Sequence, residues 1–268
     1  MPQTFHRLPH RARPVAENRG VARSGRKGLG LAALATAAGL LLAGCGIGDS
    51  ARKTATEEVA VTEPVTAVEI LGNREGAIEI TPGTGPGVTI RRTLHYGGPT
   101  KPRPTHELSA GVLTFHSGCG QNCFVDYELT VPAAAHARLS TSSGPVTVRG
   151  LAAADIGTGS GEVTVAALTG PLAVRTHSGR ITGTELSGPT ATVTASSGPV
   201  HLSFARRPAS VAARTTSGNV ELTVPYGTYH VETGTSSGSS EVGVRKEESA
   251  DAELSVRTSS GNVKIDAT

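Results

Sequence analysis

Thr141 to Val148 (TSSGPVTV), Thr158 to Val165 (TGSGEVTV), Thr215 to Leu222 (TTSGNVEL) and Thr258 to Ile265 (TSSGNVKI) are four spellings of one unit. From Arg138 to Thr268 that unit occurs seven times, at Ser143-Gly144, Ser160-Gly161, Ser178-Gly179, Ser197-Gly198, Ser217-Gly218, Ser237-Gly238 and Ser260-Gly261. Successive glycines lie 17, 18, 19, 20, 20 and 23 residues apart, a period that marks a supersecondary element stacking on its neighbours. The second and fourth residues after each glycine are apolar in most units, as in Val146 and Val148 or Val263 and Ile265, and polar residues stand between them. Such alternation is a half-buried strand, one column inside and the next in water. The expected fold is all-β, a right-handed parallel β-solenoid of Ser-Gly rungs. A β-sandwich is the alternative, since a dozen short strands with glycine turns also build two packed sheets. In the sixth unit Ser240 stands at an apolar position, which predicts a slip or bulge.

Glycine at each bend is expected to supply a permissive backbone, and serine a local hydrogen bond. Seven equivalent serines are a structural ladder, and none is the centre of a Gly-x-Ser-x-Gly elbow. With rungs about 4.8 Å apart, the third residues after the glycines form an outer column: Thr147, Thr164, Thr182, His201, Glu221, Glu241 and Lys264. The cluster His201, Glu221, Glu241 and Lys264 is the one grouping that suggests acid–base work on a sugar. Mixed charges on a wet sheet face ordinarily serve solvation and cross-strand pairing, and we assign no catalytic residue.

The chain before the repeats divides into a leader, a tether and an entry region. Arg7, Arg11, Arg13, Arg19, Arg23, Arg26 and Lys27 precede an uncharged run from Gly28 to Leu42, too short to span a bilayer but suited to a secretory signal. The run ends in Leu42-Ala43-Gly44-Cys45, which resembles a bacterial lipobox, so Cys45 is the expected lipidation (palmitate) site and mature N-terminus. Residues 1–44 are then a signal peptide, 45–64 a flexible tether, and 65–268 one domain, with entry strands over 65–135 and the repeats over 136–268. The expected location is the cell membrane, with the protein lipid-anchored on its extracytoplasmic side. The leader holds seven basic residues and one acidic, leaving the remainder at net −3, with no basic patch interleaved with aromatics to suit nucleic acid. Tryptophan is absent and Phe and Tyr number four each, which fits a thin core.

Cys119 and Cys123 flank a turn, and in an exported chain such a pair is expected to be a disulfide. A metal reading would add His116, but it lacks a fourth ligand, and no metal or cofactor is expected. The chain reaches Thr268 directly after the last expected strand, so the C-terminal rung is expected to offer an open edge for self-association.

Asn73 to Gly83 (NREGAIEITPG), Tyr127 to Pro132 (YELTVP) and the repeated T-x-S-G-x-V-x-V units resemble a bacterial β-strand-repeat family of unknown function, whose members are often given a provisional adhesin label. The resemblance covers about residues 65 to 268 and implies a single-domain β-solenoid without established catalytic residues. Three functional expectations remain open. The first is a non-catalytic binding or adhesion role toward a protein or cell-wall polymer. The second is a polysaccharide-cleaving enzyme, and the third an envelope-stress sensor subunit.

Overall fold

The computed structural model describes residues 52–268 and contains strands only. The leader, the lipobox and Cys45 lie outside the described residues. The entry region holds β1 (Lys53–Val61), β2 (Ala67–Asn73), β3 (Ile78–Gly83), β4 (Val88–Tyr96), β5 (Thr105–Ser109), β6 (Val112–His116) and β7 (Cys123–Pro132). The repeats begin with β8 (His136–Thr141), β9 (Val146–Arg149), β10 (Ala153–Thr158), β11 (Val163–Ala166), β12 (Leu172–Thr176) and β13 (Ile181–Leu186). They continue through β14 (Thr190–Ser197), β15 (Val200–Phe204), β16 (Ser210–Ser217), β17 (Val220–Val224) and β18 (Thr228–Ser237). The last strands are β19 (Ser240–Val242), β20 (Arg245–Lys246), β21 (Glu253–Ser260) and β22 (Val263–Ala267).

Each repeat places one strand in each of two facing sheets, and the strands of successive repeats pair in parallel, as β8 with β10 and β9 with β11. One sheet runs β1-β4-β7-β3-β9-β11-β13-β15-β17-β22-β19, and the other runs β20-β18-β21-β16-β14-β12-β10-β8-β2-β6-β5. The repeat array is therefore a two-sided parallel β-solenoid, because the registers are coil on coil rather than hairpin on hairpin. Its core is narrow and aliphatic: Val146, Val163, Ile181, Val200, Val220 and Val263 on one wall face Leu139, Ile156, Val174, Val193, Ala213 and Val256 on the other.

The bend between the two walls is closer-packed than a permissive turn requires. A Cβ placed on Gly161 would lie 2.1 Å from the carbonyl oxygen of Gly144, and one on Gly179 would lie 1.9 Å from that of Gly161. The ladder continues through Gly198, Gly218 and Gly261, each seated on the carbonyl of the glycine in the neighbouring rung. Four of the seven bend glycines keep ordinary negative φ, so close approach, rather than left-handed backbone, is what excludes a side chain. The serines are exposed, and the hydroxyl bonds at the bend come from buried threonines two residues earlier. Thr158 Oγ1 accepts from Gly161 N at 2.9 Å, and Thr176 Oγ1 accepts from Gly179 N at 3.0 Å.

Three further expectations change. Residues 53–61, read as tether, are strand β1, antiparallel to β4 from Lys53↔Tyr96 to Val61↔Val88. Ala55, Glu57, Val59 and Val61 alternate inward along it, giving the segment a buried face that its polar composition hides. The sixth unit carries no slip: Ser240, Glu241 and Val242 pair in register with Val263, Lys264 and Ile265. The register shift falls at Gly183–Leu186, in the third unit. Finally, the last strand is not an edge. β22 lies between β17 and β19, and β21 between β16 and β18, so the seventh unit is inserted inside the sixth. The sixth unit forms the end of the stack, where its inward positions meet water. There Ser240 Oγ bonds to Thr233 Oγ1 at 3.0 Å, a hydroxyl pair where inner rungs have apolar contact.

Gly161→Ala should lower unfolding stability by about 2–3 kcal/mol, since the intruding methyl meets the Gly144 backbone and the Thr158 hydroxyl that caps the bend. Gly85→Ala, at a position with open space, should change it by less than about 0.5 kcal/mol in the same urea titration.

Candidate functional site

The outer column continues beyond the repeats. Across the eleven strands of one sheet the register aligns Glu58, Arg91, Glu128, Glu79, Thr147, Thr164, Thr182, His201, Glu221, Lys264 and Glu241. At about 4.8 Å per strand the row is roughly 48 Å long, with hydroxyls at its centre and charges at both ends. The structure brings together His201, Glu221, Lys264 and Glu241, but in a different order from that of the sequence: Lys264 stands between the two carboxylates. His201 Nδ1 lies 3.1 Å from Glu221 Oε2, and Lys264 Nζ lies 2.9 Å from Asp266 Oδ2. The hydrogen bond to Asp266 and that carboxylate's charge, with Glu241 and Glu221 nearby, raise the Lys264 pKa.

Glycoside hydrolysis uses two carboxyls facing each other across a bound sugar. Glu221 and Glu241 instead share one exposed row with an ammonium between them. The geometry supplies ion pairing on an open face. One further sequence match, Gly234 to Gly238 (GTSSG), spells a hydrolase elbow around Ser236 but runs along β18 and leads into β19 instead of turning from strand to helix.

A second site lies at the corner of the entry region, where Cys119 and Cys123 are joined by a disulfide. Beside it is an open cleft of about 860 Å³ lined by Glu57, Tyr96, Lys101, Arg103, Gln121 and Cys123, among others. Glu57 is held by two cations: Lys101 Nζ at 2.6 Å and Arg92 Nε at 3.3 Å. Arg92 is 4% exposed, and its Nη1 donates to the Pro104 carbonyl at 3.0 Å. Its register partner Tyr127 is buried, and burial pushes that phenol up to about 12, with Arg92 opposing the shift. His106 is pulled below its ordinary value by burial and then by Arg92. On the same corner His95 bonds to Asp126 at 2.8 Å and stacks on Phe124, with the Arg52 guanidinium 5.2 Å from the Phe124 ring centre.

Sequence reasoning reached the cysteines but not this network. Its one available signal was the Thr54–Val61 alternation, which would have brought Glu57 into the fold.

Two predictions follow from the corner. Cys119→Ser with Cys123→Ser should cost about 2 kcal/mol in thermal or urea unfolding, the loop being short. Tyr127 should resist ionisation, monitored by ultraviolet absorbance, until pH approaches 12. Its folded value lies above the unfolded one near 10, so the native state holds the proton longer. The stability this contributes is complete below pH 10 and is lost between about 10 and 12, and Tyr127→Phe should flatten that loss.

No curated protein matches the chain. Among solved structures, it is similar to a candidate cell-adhesion protein from Clostridium sporogenes ATCC 15579, at 12% identity and a TM-score of 0.39, covering 81% of this chain and 100% of that one. It is also similar to a candidate adhesin from Bacteroides fragilis NCTC 9343, at 10% identity and a TM-score of 0.40, covering 80% and 97%. A family model described as Toastrack DUF4097 matches residues 112–266, from β6 to the last strand, more than half of the sequence. The chain belongs to the Toastrack DUF4097 family.

Proposed function

We propose that this protein is a lipid-anchored, extracytoplasmic binding module that performs no chemistry of its own. The observation that carries the reading is the continuous outer column, eleven residues in register on one flat face. A surface of hydroxyls and mixed charges repeated about every 4.8 Å suits an extended partner. The partner is a cell-wall polymer or a protein of the envelope, gripped by many weak contacts rather than enclosed. Cys45, placed at the end of an uncharged leader, is the attachment point. The provisional adhesin names of the similar solved structures agree with a binding role.

Labelled palmitate should enter the wild-type protein and not Cys45→Ala, and the variant should leave the membrane fraction. Purified chain should co-sediment with isolated cell wall or envelope. Reversing the ladder with Glu221→Lys and Lys264→Glu should reduce that retention several-fold without changing the melting temperature by more than a few degrees. Release of soluble sugar fragments from the wall, abolished by Glu221→Ala, would overturn the non-catalytic reading.

A further inference from the structure

The promotion of residues 53–61 from tether to strand shortens the leash. A tether from residue 45 to 64 could hold the domain some 65 Å from its lipid. With Arg52 and Lys53 already on the folded body, only seven residue steps separate Arg52 from Cys45, at most about 25 Å of chain. The corner at which the chain leaves the fold must then stay beside the bilayer. It is the corner that holds the Cys119–Cys123 disulfide.

That corner is basic. Lys53 Nζ donates to the Gly98 carbonyl, tying the first strand to the 97–104 loop that carries Lys101 and Arg103. Glu57 is already engaged by Arg92 and Lys101. Arg52, Lys53 and Arg103 are exposed, and among the described residues none has a carboxylate within ion-pairing distance. Half-buried Tyr96 adds an aromatic ring of the kind that settles at a headgroup layer. Beyond the leader the chain is net acidic, so an anionic surface attracts this corner and repels the rest.

We propose that the disulfide corner is a membrane-docking surface, in which Arg52, Lys53, Lys101 and Arg103 engage anionic lipid headgroups and set the solenoid's orientation on the bilayer. Its placement beside the membrane rests on lipidation at Cys45. The docking chemistry is tested without that lipid.

The probe is the chain from residue 45 onward carrying Cys45→Ser, which retains both sheets and their shared core. Its partition is measured onto vesicles of pure phosphatidylcholine and onto vesicles containing about one-third phosphatidylglycerol. The anionic vesicles should bind it more tightly, with an affinity that falls steeply as salt rises. Arg52→Glu, Lys53→Glu and Arg103→Glu together should weaken that binding by on the order of a hundredfold, since each basic residue near the surface contributes about fivefold. Arg214→Glu, on the outer face of the other sheet, should leave it unchanged. Equal binding to both vesicle types would overturn the proposal. So would an unaffected triple variant that melts like the parent, or displacement by millimolar inorganic phosphate at constant ionic strength, which would indicate a discrete anion pocket. Failure of palmitate labelling, by contrast, would remove the anchor and leave the vesicle result standing.

Discussion

The structure depends on one short distance, between the α-carbon of each bend glycine and the carbonyl of the glycine in the neighbouring rung. A side chain there would sit about 2 Å from backbone, so the rungs could not close to the spacing at which strands pair. Once that corner closes, both sheets are set in register together, because each coil contributes one strand to each. Buried threonines complete the corner by accepting from glycine N–H groups that the tight bend turns away from the ladders. The outer columns are a by-product of this register. Their residues differ from rung to rung, since the fold asks only that the inner neighbours stay apolar, and this leaves His201, Glu221 and Lys264 available for surface chemistry.

The two ends of the stack solve the exposed-edge problem differently. At one end, antiparallel β1 and β4 close the sheet, and a buried Arg92 is neutralised by Glu57 and braced by the Pro104 carbonyl. Removing Glu57 would strand the Arg92 charge away from water, so the cap is specific. At the other end the sixth unit turns polar on its inner face, where Thr233 and Ser240 bond to each other. Its strand β19 is only three residues long, and the two-residue β20, carrying Arg245 and Lys246, covers only Thr228 and Tyr229 of β18, so the remaining edge, His230–Ser237, is blunted by its polar and charged side chains rather than by a partner strand.

Much of this was legible in the sequence, and the remainder was hidden for identifiable reasons. Strict alternation after the glycines located β9, β11, β13, β15, β17 and β22 and their apolar column, because a period of two has no other reading beside Ser-Gly bends. The rung order was not legible. Val220 with Leu222 and Val263 with Ile265 are interchangeable as neighbours, so nothing in either unit says which stacks on which. The information lay in Ser240, the polar residue that stands where the other units carry Val or Ile two places after the bend glycine. It reads as a defect if spatial order follows chain order, and as a cap once the unit is placed last. β1 was hidden because Glu57 occupies an inward position where an apolar residue was expected. The cations that make that carboxylate acceptable, Arg92 and Lys101, come 35 and 44 residues later in the chain.

Inserting the seventh unit inside the sixth also has consequences for how the molecule assembles. β18 pairs with β21 and not with β16, and β19 pairs with β22 and not with β17. The sixth unit therefore has no seat on the stack until the last residues of the chain have been laid down. An array that could otherwise grow rung by rung from its middle must complete this end in one step, joining residues 228–242 to 253–267 at once. The entry region shows the same device: β2 and β3 lie inside β6 and β7, and the chain returns past them to begin β8. A nearest-neighbour solenoid is thereby bound at both ends by contacts that span distant sequence, which makes its terminal rungs cooperative with the body instead of free to fray.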